Sequence, residues 1–518
     1  MSETFAPPGA EPPGVLPVAW ITSQGISVLR MATAGWASGP NDAPASVIWP
    51  ARVMGDVVLS QTAADALGIG GRVALGISDV DLWDGDNALS DLIRYGGADG
   101  RAATIRVVST AASLAASTVV FRGLVRSVTA IEVRRARLAL TDIAERLAVP
   151  LQTTRYLGTG GLEGPAALAG RPKPISLGRV FNAAPVSLGN IDLGNGALPT
   201  FQSHWRAIAG HDAVRIRGVA QTAVGAAPGV GQYRDWPAFG AFQIGASPDG
   251  AVTADVRGDA VPIYAGSTSE IIRRLIQSLG PAITDDEIAA EAFDFANIDL
   301  PGEIGWYRGT QEMSASDAVS EIVAGSGAVL AGGRGGTLKL FDPIAEDASL
   351  AAQFVIPAAW ILALQPLALP MVFRPLPRSV SVEWRRNWAP SADLAGSVTG
   401  AERAQLAGRV SGPAIAASAV VTARVAQQRD MRMPGLYYAE ADALARADRW
   451  RRWIEAGPRL YEITTDRYLG AIECGDIGRF TYPAYGLETD ALCVVVGWRE
   501  ALAGRRLTLT VATLPEGA

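Results

Sequence analysis

Arg155-Tyr-Leu-Gly-Thr-Gly-Gly-Leu-Glu-Gly164 runs through Gly170-Arg-Pro-Lys-Pro174 into Gly178-Arg-Val-Phe-Asn-Ala-Ala-Pro-Val186. Glycine at this density excludes a helix, and the prolines would interrupt a central strand. The stretch lies between two strand-rich regions and carries one isolated carboxylate, Glu163. It reads as a shaped connector, and the rest of the chain is organised around it.

On the N-terminal side, residues 1–14 are acidic and Pro-rich and read as a flexible arm without a secretory signal. Short strands follow. Thr104-Ile-Arg-Val-Val108 and Thr118–Val128 are rich in β-branched residues, with a turn at Asp99-Gly100. One short helix is expected over Ala88–Tyr95, capped by Asp86 or Asn87. Beyond the connector, 175–265 is irregular β, and then the period changes. Ser267-Thr-Ser-Glu270 has capping-box spacing and opens a helix with Ile271, Ile272, Leu275, Ile276 and Leu279 on one face. Thr284-Asp-Asp-Glu287 opens a second helix and Ser314-Ala-Ser-Asp317 a third, before the turn Gly332–Gly336 and a strand through Leu338 and Leu340.

Ser379-Val-Ser-Val-Glu-Trp384 alternates as a strand. A long helix is expected over Tyr437–Glu455, with Ala443, Ala447, Trp450 and Ile454 as its apolar stripe. Asp442/Arg446 and Asp448/Arg452 would be exposed i,i+4 pairs. The end returns to strand, Arg506-Leu-Thr-Leu-Thr-Val511. The fold class expected is α+β and β-dominated: several barrel- or sandwich-like β domains, a small helical α+β insertion and one long C-terminal helix.

The chain has 518 residues, enough for several cores, and 49% are hydrophobic while only 19% are charged. So few charges fit a surface partly covered by other subunits, or an Ala-rich sequence without any such interface. The net charge of −6 gives no global footprint of a nucleic-acid binder. Ala348–Phe373 is uncharged and long enough to span a membrane, but Pro357, Pro366 and Pro370 divide it. It reads as an extended, buried connector.

Tests for chemistry return little. Lys173 follows Pro172 and Lys339 follows Leu338, so neither completes a P-loop, and Gly158-x-Gly160 lacks the third glycine of a dinucleotide fingerprint. His204 and His211 are the only histidines; a site completed by Asp212 can be drawn, but surface or core histidines are the plainer reading. Cys474 and Cys493 read as buried, reduced thiols, and no G-x-S-x-G elbow occurs. A pair of carboxylates for glycoside hydrolysis cannot be read from sequence. Trp384-Arg-Arg-Asn-Trp388 and Arg449-Trp-Arg-Arg-Trp453 interleave arginine with tryptophan; packing is favoured over nucleic-acid stacking. No catalytic, cofactor-binding or metal residue is assigned, no cofactor is expected, and the chain is read as a non-enzyme.

The order of blocks carries a resemblance. Leu151-Gln-Thr-Thr-Arg-Tyr156, the connector, Gly231-Gln-Tyr-Arg-Asp-Trp-Pro237, Gly250-Ala-Val-Thr-Ala-Asp-Val256, Val382-Glu-Trp-Arg-Arg-Asn-Trp388 and Leu507-Thr-Leu-Thr-Val511 follow one another along the chain. This set resembles the tail-tip (baseplate) hub proteins of long-tailed phages and prophages (siphophages). Near the start only Asp42–Pro50 is similar. The resemblance implies a structural protein of the virion tail tip, made and assembled in the bacterial host cytoplasm. It implies a ring, most often a homotrimer, joining the tail tube and distal tail protein to a central fibre or spike. Such a ring closes the lumen until tape-measure protein and DNA leave, and the DNA passes without specific binding or any membrane span. The order of elements along the chain suggests a division into arm (1–14), first barrel-like hub domain (15–150), connector with irregular β domain (151–265) and small α+β module (266–345). An extended connector, strand and long helix (346–457) and a C-terminal β segment completing a second barrel-like domain (458–518) follow. Two other classes stay open: a tail-associated peptidoglycan hydrolase, and a receptor- or glycan-binding tail protein using Trp205, Tyr233 and Trp236.

Overall fold

The computed structural model describes residues 15–23, 26–63, 67, 70–109, 113–194, 196–344, 352–427, 429–467, 472–504 and 506–514. The arm at 1–14 lies outside them. Strands make up 41% and helices 21%, so the fold is α+β and β-dominated. No helix among the described residues is long and apolar enough to cross a membrane.

The N-terminal region forms an antiparallel seven-stranded sheet in the order Ile26–Ala32, Val15–Ser23, Ala102–Ser109, Thr118–Glu132, Arg135–Thr141, Val80–Trp83, Val53–Met54. Alternation sets which face is buried: Ala136, Leu138 and Leu140 point inward from one strand. The short helix forms at Ser90–Tyr95, but neither expected cap serves it. Asp84 accepts the Leu89 amide at 2.9 Å, and Asp86 is held by Arg52 at 2.7 Å.

The chain's last strands make a second sheet, ordered Phe354–Ile356, Ile477–Phe480, Ala491–Ala501, Arg506–Thr513, Leu460–Thr465, Ala363–Leu367. Its two outer strands are joined by residues 357–362, which include the 3₁₀ turn Ala358–Trp360. A link so short, partly wound at ~2 Å per residue, cannot cross the ~24 Å of a flat sheet of this width. The sheet therefore curls into an open barrel. Val58–Thr62, from the other end of the chain, pairs with Ala491–Ala501, with Ser60 opposite Arg499. Val80, Leu138, Phe480, Val495 and Leu509 accordingly lie in one core.

The uncharged segment differs from its expected burial. Residues 348–351 lie outside the described residues; from 352 on it is extended, with strands at Phe354–Ile356 and Ala363–Leu367, but among these described residues only Phe354, Ile356 and Phe373 are buried. Val355, Leu362 and Met371 are 48%, 58% and 72% exposed. An outer strand of a sheet turns alternate residues to the core and the others to solvent.

Behind the connector, two five-stranded sheets enclose Val180, Phe201, Val214, Phe242 and Val256. The strand Ile175–Ala183 also pairs with Gly305–Arg308. Gly178 permits this: it adopts φ +62°, and a Cβ there would lie 1.9 Å from the Ile304 carbonyl oxygen.

In the helical module the Ser267/Glu270 capping box forms as spaced, and Ser314 caps Ala315–Ser326. Thr284 opens only a 3₁₀ turn, Asp285–Glu287, although its box with Glu287 is present. Ile288 is drawn into a bridge with Leu338, and the Ala289 amide donates to the Leu338 carbonyl. The chain is thus extended there, and the helix begins at Ala290.

The strand Pro377–Arg386 lies between Val410–Ala417 and Arg429–Tyr437, and the helix Glu440–Glu455 packs across it. Tyr437 ends a strand instead of starting the helix. Trp450 and Trp453 are fully buried, with Phe373 centred 5.8 and 5.2 Å from them. Arg446 is not exposed. It is 5% accessible and pairs with Asp342, while Asp442 accepts the Glu303 amide. Asp448 and Arg452 do pair, at 3.6 Å.

Candidate functional site

Within the connector the Glu163–Lys173 ion pair closes the loop, and Arg155 pairs outward with Glu312 at 2.7 Å. Gly158, Gly160, Gly161, Gly164 and Gly170 all take positive φ, which folds the chain back on itself. Glu163 then accepts Lys173 Nζ at 2.6 Å and the Leu157 amide at 3.0 Å. Lys173, 8% exposed at its side chain, lies 5.2 Å from the Tyr156 ring centre. The Lys173 hydrogen bond outweighs burial and holds the Glu163 carboxyl below the usual range. Tyr156 donates to Gln202 at 2.7 Å, which fastens the connector to the sheet behind it. The arrangement is mechanical.

Beside it the fold assembles a constellation that no motif announces. Ser203 follows the strand Ala197–Gln202, His211 lies in Ile208–Ile216 and Asp235 in Gln232–Trp236. Ser203 Oγ stands 2.7 Å from His211 Nε2, and His211 Nδ1 stands 2.7 Å from Asp235 Oδ1. Asp235 Oδ2 also accepts the His211 amide at 2.9 Å. This is the order of a serine–histidine–aspartate relay.

Its surroundings remove the chemistry. Ser203 is fully buried, and Phe242 closes one side of the His211 ring at 4.9 Å. Acyl transfer needs free amide donors for an oxyanion. Here the Ser203 and His204 amides both donate to the Gly240 carbonyl, at 2.9 and 3.2 Å. The relay therefore satisfies buried polar atoms and has neither access nor an oxyanion hole.

The two histidines do not converge on a metal. His204 Nδ1 accepts the Ser176 amide at 2.9 Å, and burial pushes its pKa down to about 3, so it stays neutral. Asp212 faces away, paired with Arg179 and Arg257. Among the described residues no group of three His, Cys, Asp or Glu could hold an ion. Cys474 and Cys493 are buried free thiols; burial raises both, Cys493 to about 12.

The aromatic candidates are engaged internally. Tyr233 is buried and donates to the His211 carbonyl at 3.2 Å. Trp236 donates to Gln243 at 3.1 Å beneath Arg234, and Arg206 covers Trp205. Arg386 lies over Trp388 and pairs with Glu321, while Arg449 pairs with Asp299 at 3.0 Å. The arginine–tryptophan contacts are real, but they join parts of one chain.

No family model matches this chain, and no curated protein matches it significantly. Among solved structures it is similar to the 43 kDa tail protein of prophage MuSo2 from Shewanella oneidensis, at 10% identity and TM-score 0.39 over 96% of this chain and 97% of that one. It is similar to the tail protein from Neisseria meningitidis MC58 at 8% identity and TM-score 0.40 over 96% of each chain. A chain in the virion of a native gene transfer agent particle is similar at 13% identity and TM-score 0.39, over 67% of this chain and 85% of that one. Identities and TM-scores this low carry no functional argument.

Proposed function

We propose that this chain is a structural subunit of a phage tail tip, the hub, acting by position and not by catalysis. In this reading copies form a ring, a homotrimer, that joins tail tube and distal tail protein to a central fibre or spike. The ring gates the exit of tape-measure protein and DNA. Residues 15–150 and 458–518 supply the barrel-like part, and the intervening segments carry the connector, the α+β module and the long helix.

The observation that carries the reading is the uncharged outer segment, 353–373. Surface that a lone chain leaves to water is normally rich in charge, and a long apolar edge is ordinarily covered. Val355, Leu362 and Met371 stand out along this segment. A subunit interface accounts for them, and the ordered sequence blocks indicate which assembly. The sealed Ser203–His211–Asp235 relay offers no serine-type hydrolysis, while a peptidoglycan hydrolase working through a pair of carboxylates stays as the alternative reading.

Leu362→Cys tests the interface, because Cys474 and Cys493 are both buried and give a quiet background. The introduced thiol is expected to react with a maleimide dye in the isolated chain and to be protected in assembled particles. Equal labelling in both would count against the covered edge.

A further inference from the structure

A cleft of about 610 Å³ opens on the outer face of the C-terminal barrel, lined by Ser60, Thr62, Arg72, Glu462, Arg499, Thr508 and Thr510 among others. Its size falls within the ~300–1,000 Å³ of small-ligand sites. Strand register explains its wall. Ser60 stands opposite Arg499 and Arg499 opposite Thr508; Thr62 stands opposite Gly497, Gly497 opposite Thr510 and Thr510 opposite Glu462. Residues paired directly across strands share one face of a sheet, so hydroxyls and charges form a continuous polar ladder.

Gly497 makes room in that ladder. A Cβ there would lie 3.2 Å from the Gln61 carbonyl oxygen and 3.3 Å from Thr510 Cβ, so the floor between Thr62 and Thr510 is left open by the missing side chain.

The charges are not locked in ion pairs. Among the described residues, Arg72 and Arg499 have no carboxylate at ion-pair distance, although the Arg72 charge acts on the buried Asp142 from farther off, and Glu462 has no cationic partner at that distance. Among the described residues most other arginines have such a partner or lie over a ring, as Arg446 pairs with Asp342 and Arg386 lies over Trp388. Two guanidinium groups outside any close ion pair can take an acceptor with negative charge. Glu462 repels a bare anion and calls for a donor, such as a hydroxyl. Ser60, Thr62, Thr508 and Thr510 can serve either role. The lining aromatic, Trp498, is only 3% exposed, so no ring is offered for a base to stack on.

We propose that this cleft binds an acidic saccharide, a sugar chain bearing uronate carboxylates, with Arg72 and Arg499 holding carboxylates and Glu462 accepting a sugar hydroxyl. This is independent of the hub reading and stands or falls separately from it.

The test is calorimetric titration of the full chain with hexagalacturonate, with maltohexaose as the neutral counterpart and inorganic phosphate as the bare anion. Hexagalacturonate is expected to bind and to weaken as salt rises, with each of Arg72→Ala and Arg499→Ala lowering affinity by about tenfold or more. Both residues are exposed, so both variants are expected to fold. Maltohexaose is expected to bind at least about tenfold more weakly. Glu462→Gln is expected to lower saccharide affinity without lowering that for phosphate. Absence of hexagalacturonate binding would overturn the proposal, as would binding unchanged in the Arg72→Ala/Arg499→Ala double variant. Equal affinity for the neutral sugar, or saccharide affinity that rises in Glu462→Gln, would overturn it too.

Discussion

Asp342→Asn is expected to unfasten the joint between the helical module and the long C-terminal helix. The Asp342 side chain is fully buried, at the end of the strand Leu338–Phe341. Arg446 reaches it with two hydrogen bonds, 2.5 and 3.1 Å, and also donates to the Gly327 carbonyl at 2.9 Å, where the helix Ala315–Ser326 ends. Arg449 Nε adds a charge at 3.4 Å, and the Ile344 amide donates at 3.2 Å. Three elements thus meet on one carboxylate.

The asparagine keeps the shape and removes the charge, leaving Arg446 buried without a counter-ion. Breaking one side of a buried pair costs about 3–5 kcal/mol. At ~2–4 °C per kcal/mol for a cooperative unit of this size, the corresponding calorimetric transition should fall by roughly 6–20 °C. The pH dependence has a definite sign. Burial pushes the Asp342 carboxyl up, but Arg446 and Arg449 outweigh it, and the pKa lies below its ordinary value. The ionised form is therefore favoured by folding, and its contribution is full above the unfolded value of about 3.9. It is lost as pH falls through the lower folded value. The gap between wild type and variant should be constant at neutral pH and should narrow in acid. A shift under about 2 °C, or a gap that does not narrow, would refute the reasoning.

Three further outcomes follow from the same structure. Ser203→Ala should cost about 1–3 kcal/mol in denaturant titrations by leaving His211 short of a donor, with no peptidoglycan cleavage by either form; lytic activity lost in the variant would make the relay catalytic. Gly178→Ala should reduce the yield of folded chain sharply, since its Cβ meets the Ile304 carbonyl, whereas Gly189→Ala, also at positive φ but in open space, should cost only about 1–3 kcal/mol. Cys474 and Cys493 should resist a thiol reagent in the native chain and react on unfolding; prompt native reaction would contradict their burial.

Local signals were legible where local forces decide. Ser267 and Glu270 formed their capping box because both partners lie within one turn, and Ser314 caps its helix by accepting the Asp317 amide. Thr284 carried an equal signal, yet a bridge to Leu338, far along the chain, took the next residues into an extended form. Arg446 looked like the exposed partner of Asp442, since its true partner Asp342 is 104 positions away. The Ser203–His211–Asp235 relay left no trace, because its members sit on, or just after, separate strands at spacings set by sheet register. The uncharged segment at 353–373 reads as interior because a single sequence cannot distinguish a buried apolar run from one left on the outside of the sheet. The pairing of Val58–Thr62 with Ala491–Ala501 was equally out of reach.

The measurement that tests the central claim most directly is electron microscopy of purified particles labelled with gold-conjugated antibody against this chain, after mild disruption to expose covered epitopes. The hub account predicts label confined to the end of the tail away from the head. Particles without label, or label along the whole tail or on the head, would contradict it.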